Sequence, residues 1–348
     1  MKYFYKYIVI LVTILSIISC KKTIIKDFKL SKTIEKKIII DRLDVELPAN
    51  PTFHQTNFQS LGDTLYLHFP PNQDTLLYKI FYDFNNPCCY QIKGVVARGR
   101  GSNELLDIYT TYKTMKGDKL YYLSLSSQSI LQLNSFNIST NNDLINGNIG
   151  LLKSNLIIED NKIFYDILYS EKEKIIRFTN INESTEFDFI NSIVPKGFEP
   201  SSRNNISAMA LSGRYFIYSL AGSRSIYMVE TEDIYNSYYN RSTKISLEED
   251  DPLEEPYILN NQFQKQRGKS HISRIQYFGG KIFILMNFKL YVLDLDLNRI
   301  LSTFIFFDNI NENNLKVTDF TISDTKLFLR IGVDGIGVYN TEPLLNQL

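Results

Sequence analysis

Basic side chains gather in three short segments of this 348-residue chain: Arg98 and Arg100 in ARGRGSNE, Arg203 in SSRNN, and Arg267, His271 and Arg274 in RGKSHISR. A guanidinium presents a planar fork of donors that matches a carboxylate or phosphate bidentately. If the three segments converge, they form a cationic mouth suited to an anionic ligand such as a peptide terminus or an acidic sugar. Glu104, at the end of the first segment, is then an internal partner for one of the arginines, a structural role. A blander reading stays open beside this one: solvated connectors whose glycines serve turns.

Covalent chemistry finds less support. There is no GxSxG nucleophile elbow, and GRGSNE lacks the lysine and hydroxyl of a phosphate-binding loop and precedes a strand. The 38 acidic residues single out no acid/base pair of the kind glycosidases use, so no catalytic residue is assigned. The histidines are His54, His68 and His271, and Cys88 and Cys89 are adjacent with no CxxC spacing, so no metal site and no cofactor are expected. A disulfide between such neighbours would be strained. DLDLN at 294–298 lacks the glycine and distant glutamate of a calcium loop and falls where a hairpin turn is expected. The acidic run EEDDPLEEP at 248–256 reads as a solvated loop, with calcium binding or a partner contact as alternatives, inside an insertion or long loop over 229–265.

Elements that could position these residues begin at the N-terminus. Lys2 and Lys6 precede an apolar run from Ile8 to Ile18, then Ser19 and Cys20. That is the order of a secretory signal, and the run is shorter than the roughly 20 residues a bilayer-spanning helix needs. IISC at 17–20 resembles the bacterial lipobox, which implies cleavage before Cys20 and its lipidation. Removing Lys2 and Lys6 tips the balance of 38 basic and 38 acidic residues slightly acidic, so no global basic field points to nucleic acid.

With 23 Tyr, 23 Phe and no Trp, the composition suits half-buried strands. A turn followed by a short strand recurs six times: GDTLYL at 62, GDKLYYL at 117, DNKIFYD at 160, SGRYFIY at 212, GGKIFIL at 279 and DTKLFLR at 324. The copies lie 43 to 67 residues apart, each followed by a second strand of alternating character. This spacing is what a propeller blade of four antiparallel strands requires. The fold expected is all-β, a six-bladed β-propeller whose ring is closed by the N-terminal stretch IEKKIIIDRLDVEL at 34–47 joining the last blade, which would remove an open edge.

Together the repeats, the signal and the segment GRGSNELLDIY at 99–109 resemble the six-bladed, TolB-like propeller lipoproteins of Bacteroidetes, including the BF-type lipoproteins. Gly99, Gly101 and Glu104 match that family's GxGPxE element; Ser102 stands where proline is usual. The resemblance implies a periplasmic or surface-exposed binding propeller. The expected organisation is a signal peptide over 1–19, a lipid-anchored tether over 20–33 and one propeller domain over 34–348. The expected function is non-catalytic binding of a protein, peptide or glycan by a monomer anchored in the outer membrane. It faces the periplasm, with surface exposure open. A hydrolase or lyase acting on extracellular sugar or peptide is the alternative.

Overall fold

The strand that follows each repeated turn carries an almost unbroken apolar run, such as KIFILM or KLFLRI, buried along nearly its whole length, because a strand sandwiched between two neighbouring sheets has no solvated face. In the computed structural model 25 strands and two short helices are described, with some of the turns between them; residues 1–23, 30–34, 45–57, 141–151, 191–205 and 248–271 and many of the shorter connections are outside it.

Two N-terminal strands, β1 (Ile24–Lys29) and β2 (Glu35–Asp44), precede a series of antiparallel sets. The first set comprises β3 (Phe58–Leu61), β4 (Thr64–His68), β5 (Thr75–Tyr82) and β6 (Tyr90–Ala97). The second comprises β7 (Thr110–Lys113), β8 (Lys119–Ser124), β9 (Ser129–Asn134) and β10 (Ile138–Thr140). The third is β11 (Leu152–Glu159) to β14 (Thr185–Ile190), through β12 (Lys162–Ile167) and β13 (Lys174–Asn180). In the fourth, β15 (Ile206–Ser212), β16 (Tyr215–Leu220) and β17 (Ser225–Glu230) lead through helix α1 (Thr231–Tyr235) to β18 (Arg241–Ser246). Then follow β19 (Ile272–Phe278), β20 (Lys281–Met286), β21 (Lys289–Asp294) and β22 (Arg299–Asp308), and finally β23 (Val317–Ile322), β24 (Lys326–Ile331) and β25 (Gly335–Asn340) with helix α2 (Thr341–Asn346).

Hydrogen bonding joins these strands into five sheets in a propeller arrangement, where six were expected. The difference is made by β2. Its second half, Asp41–Asp44, pairs antiparallel with β25 as the expected fourth strand of the last set. Its first half, Glu35–Ile40, lies parallel to β22 and fuses two sets into one eight-stranded sheet.

The stretch expected as a tether over 20–33 contains a described strand. Ile24–Lys29 is β1, which adds in parallel to the outer edge of β18 and makes that sheet five-stranded. The β-branched pair Ile24–Ile25 favours this pairing over a free linker. Likewise 229–265 is not simply a loop, since it carries α1 and β18. The acidic run 248–256 and Cys88 and Cys89 lie outside the described residues. Asp294 closes β21 and faces Lys281 at 3.8 Å as a cross-strand ion pair.

Innermost strands neighbour one another in the order β3, β7, β11, β15, β19, β23, and β23 neighbours β3. Apolar clusters fill the spaces between sheets. Phe164 stacks on Phe216 with centroids 5.0 Å apart, tying the third set to the fourth. Leu65, Leu67 and Ile80 of the first set pack with Phe328 and Ile336 of the last.

Candidate functional site

Inner strands leave a central cavity of about 280 Å³ between them. Side chains from β3, β7, β11, β15, β19 and β23 line it. Four of those strands place a polar residue at one common register. Gln59 pairs with Tyr66, Lys113 with Leu120, Gln276 with Phe283 and Thr321 with Phe328, seven positions on in each hairpin. The other two inner strands, β11 and β15, place Ile157 and Ala210 there.

Around that register the strands are tied together by side chains. The Lys113 ammonium donates to the Ile322 carbonyl at 2.8 Å and lies 3.5 Å from Ser60 Oγ. Gln276 donates to the same carbonyl at 3.0 Å while accepting from the Ile322 amide at 3.1 Å. Ser60 donates its amide to Thr321 Oγ1 at 3.1 Å, and the two hydroxyls are 3.0 Å apart. Lys113 and Ile322 are the last residues of their strands, so this network crosses the channel at the end nearer the first hairpins.

Toward the opposite end, where outer strands connect to inner ones, Arg274 Nε lies 3.8 Å from Asp319 Oδ1. The Phe320 amide donates to the same oxygen at 2.8 Å. Burial pushes the Asp319 carboxyl up, against the pull of Arg274, the Phe320 hydrogen bond and Arg330. Burial likewise holds Lys113 down, to about 8; Asp324 opposes that shift and Arg274 adds to it. Behind the wall, burial and the Arg330 charge lower His68 to about 4. Gln59 Oε1 and Thr111 Oγ1, both on cavity-lining residues, are buried without a hydrogen-bond partner.

Of the seven residues singled out from sequence, Arg274 is the one seen lining the cavity. Arg203, Arg267 and His271 lie outside the described residues. Arg98 and Arg100 are exposed on the connector between β6 and β7. The Glu104 carboxylate, expected to partner an arginine, accepts from the Gly101 amide at 2.7 Å. A Cβ on Gly99 would come within 1.9 Å of that carboxylate, and one on Gly101 within 3.0 Å. The glycines of GRGSNE thus let Glu104 fold back onto its own loop, with Asn103 at φ 62°. The loop then ends in Leu105, fully buried, whose amide donates to Ala97 O at 3.3 Å.

Sequence reasoning passed over Gln59, Lys113, Gln276 and Asp319. For Gln59, Lys113 and Gln276 the signal was a polar residue at matching hairpin register; Asp319 lies off that register, opposite Arg330. Among the described residues no three metal-ligating side chains cluster, and no helix is long and apolar enough to cross a membrane.

No protein-family model matches the chain, and no curated protein matches it. The chain is similar to several solved structures at low identity. A Bacteroides fragilis protein described as exported is 12% identical, with 88% of each chain covered and a TM-score of 0.47. The extracellular domain of a hybrid two-component-system protein from B. thetaiotaomicron is 10% identical, with 82% of this chain and 34% of that one covered and a TM-score of 0.43. PorZ, a surface component of the type-IX secretion system of Porphyromonas gingivalis, is 10% identical over 81% of this chain and 36% of that one, with a TM-score of 0.38. All three are described as exported, extracellular or surface proteins.

Proposed function

We propose that this chain is a monomeric binding propeller, held in the outer membrane by a lipid on Cys20 and facing the periplasm, that takes its ligand at the central cavity without transforming it. The observation that carries this reading is the cavity lining. It combines Lys113, Arg274 and tyrosines with buried polar atoms that lack partners, and among the described lining residues its single carboxylate, Asp319, faces Arg274. A glycoside hydrolase needs two carboxylates a set distance apart across the scissile bond, and this arrangement favours holding a ligand over that chemistry.

Residues 34–348 form one six-bladed unit in this reading, the eight-stranded sheet counting as two blades that share β2. The order in which the inner strands neighbour one another supports a ring. The pairing of β1 bears on how that ring is held. Strand β18 runs antiparallel to β17, β17 to β16 and β16 to β15, so β18 and its parallel neighbour β1 both start at the first-hairpin end. Cys20 precedes Ile24 by four residues, a reach of at most about 14 Å. The lipid therefore lies under the hairpin end, and the connector end of the cavity points away from the membrane.

Mass spectrometry of the N-terminal peptide from membrane-extracted protein tests the anchor: an acylated Cys20 is expected, with release of Cys20→Ala into the soluble fraction. Incubation with acidic oligosaccharides and peptides tests the rest. Binding with every probe recovered at its original length is expected; an unmodified Cys20 overturns the anchor, and shortened or unsaturated products overturn the non-catalytic reading.

A further inference from the structure

We propose that the central cavity binds one hexuronate-like unit, a monosaccharide-sized group carrying a single carboxylate beside free hydroxyls. The inference rests on the binding reading above and adds the chemical class of the ligand. Charge comes first. Among described residues the lining holds two cations, Lys113 and Arg274, against one carboxylate, Asp319. Asp319 already faces Arg274, so the lining itself has a surplus of one positive charge, with exposed Asp324 acting on Lys113 from outside it, and a surplus cation walled off from water attracts a single anion more strongly than an exposed one does.

Hydrogen-bond accounting narrows the anion. An ammonium has three donor hydrogens, and two directions from Lys113 are taken by Ile322 O and Ser60 Oγ. The third remains for a ligand carboxylate. Gln59 is 4% exposed, yet its Oε1 has no partner, nor does Thr111 Oγ1 on the neighbouring inner strand. Gln59 Oε1 is an acceptor and needs a donor, whereas the Thr111 hydroxyl can donate or accept. Inorganic phosphate or acetate, chiefly an acceptor, can take the Thr111 hydroxyl but does little for Gln59. A ligand with hydroxyls next to its carboxylate satisfies the cation, the amide oxygen and the hydroxyl together.

Size agrees with one unit: about 280 Å³ lies at the lower bound of small-molecule pockets. Leu156 and Met209 provide an apolar wall for the C–H face of a sugar ring.

Titration calorimetry on the detergent-extracted, full-length mature lipoprotein tests this with D-glucuronate, D-glucose, inorganic phosphate and an N-acetyl dipeptide as probes. Glucuronate should bind at least tenfold more tightly than glucose, and tenfold excess phosphate should not displace it. Lys113→Met should weaken glucuronate at least tenfold and Thr111→Val several-fold, whereas Lys113→Arg should restore part of the loss. Melting curves identify any variant that fails to fold, in which case Thr111→Val alone decides. Equal binding of glucose, or glucuronate binding indifferent to Thr111→Val, overturns the proposal. Dipeptide binding that depends on Lys113 removes the ligand class but leaves the binding propeller standing. Conversion of a glucuronate-containing oligosaccharide removes the binding reading itself.

Discussion

The connector at 98–109 and the central cavity both display charge, yet they use it in opposite ways. In the connector Glu104 is engaged by its own loop at Gly101, and Arg98 and Arg100 stand in solvent. In the cavity Lys113 and Asp319 sit largely out of water and their ionisation is shifted by that burial. The same charge interaction is worth several times more at an effective dielectric of about 20 than in bulk water. The lesson is that a run of arginines in sequence marks a binding site only where the fold withdraws it from solvent.

Four comparisons with the wild type measure that contrast. Asp319→Ala should act most strongly, since it leaves Arg274 and Arg330 without their shared buried carboxylate. A loss of about 3 kcal/mol in denaturant unfolding is expected, and under 1 kcal/mol would place the cluster effectively in water. Lys113→Met should change the pH dependence of stability. A buried lysine whose folded value is about 8, against about 10.5 unfolded, binds fewer protons folded than unfolded between those pH values. Wild-type stability should therefore rise across that window, and fall as pH drops through about 8, by roughly 3 kcal/mol at most relative to Lys113→Met. A difference that stays flat from pH 8 to 10.5 would refute the burial of that amine.

Gly99→Ala should cost about 1 to 2 kcal/mol by displacing the Glu104 carboxylate from its amide. In a Glu104→Ala background the same change should cost far less, and a double-mutant cycle reads the coupling; additive effects would mean the glycine serves something else. Smallest of all, Arg98→Ala with Arg100→Ala should move stability by less than about 0.5 kcal/mol and leave ligand affinity unaltered in calorimetry.

Much of the architecture was readable beforehand. Repeated hairpins such as GGKIFIL and DTKLFLR place β19–β20 and β23–β24 where periodicity expected them. The stretch at 34–47 does supply the last set's fourth strand. The fusion of two sets through Glu35–Ile40 was not readable, because edge pairing is a choice between equally apolar partners that periodicity does not rank. For the same reason Ile24–Lys29 read as a tether and not as β1. The site was only partly legible. Arg274 stood out as one of a basic run, but Lys113 in TTYK and Gln59 in FQS carry no local motif. Their meaning comes from a register shared across hairpins far apart in sequence, and from burial that closes only once the strands are arranged around a common channel.

A crystal structure of the mature protein grown with D-glucuronate is the most direct test that the cavity, and not the connector, is the binding site. Ligand density is predicted between the inner strands, with the carboxylate in hydrogen-bond reach of Lys113 Nζ and hydroxyls on Gln59 Oε1 and Thr111 Oγ1. Density seated on Arg98 and Arg100, with none in the cavity, would contradict the account.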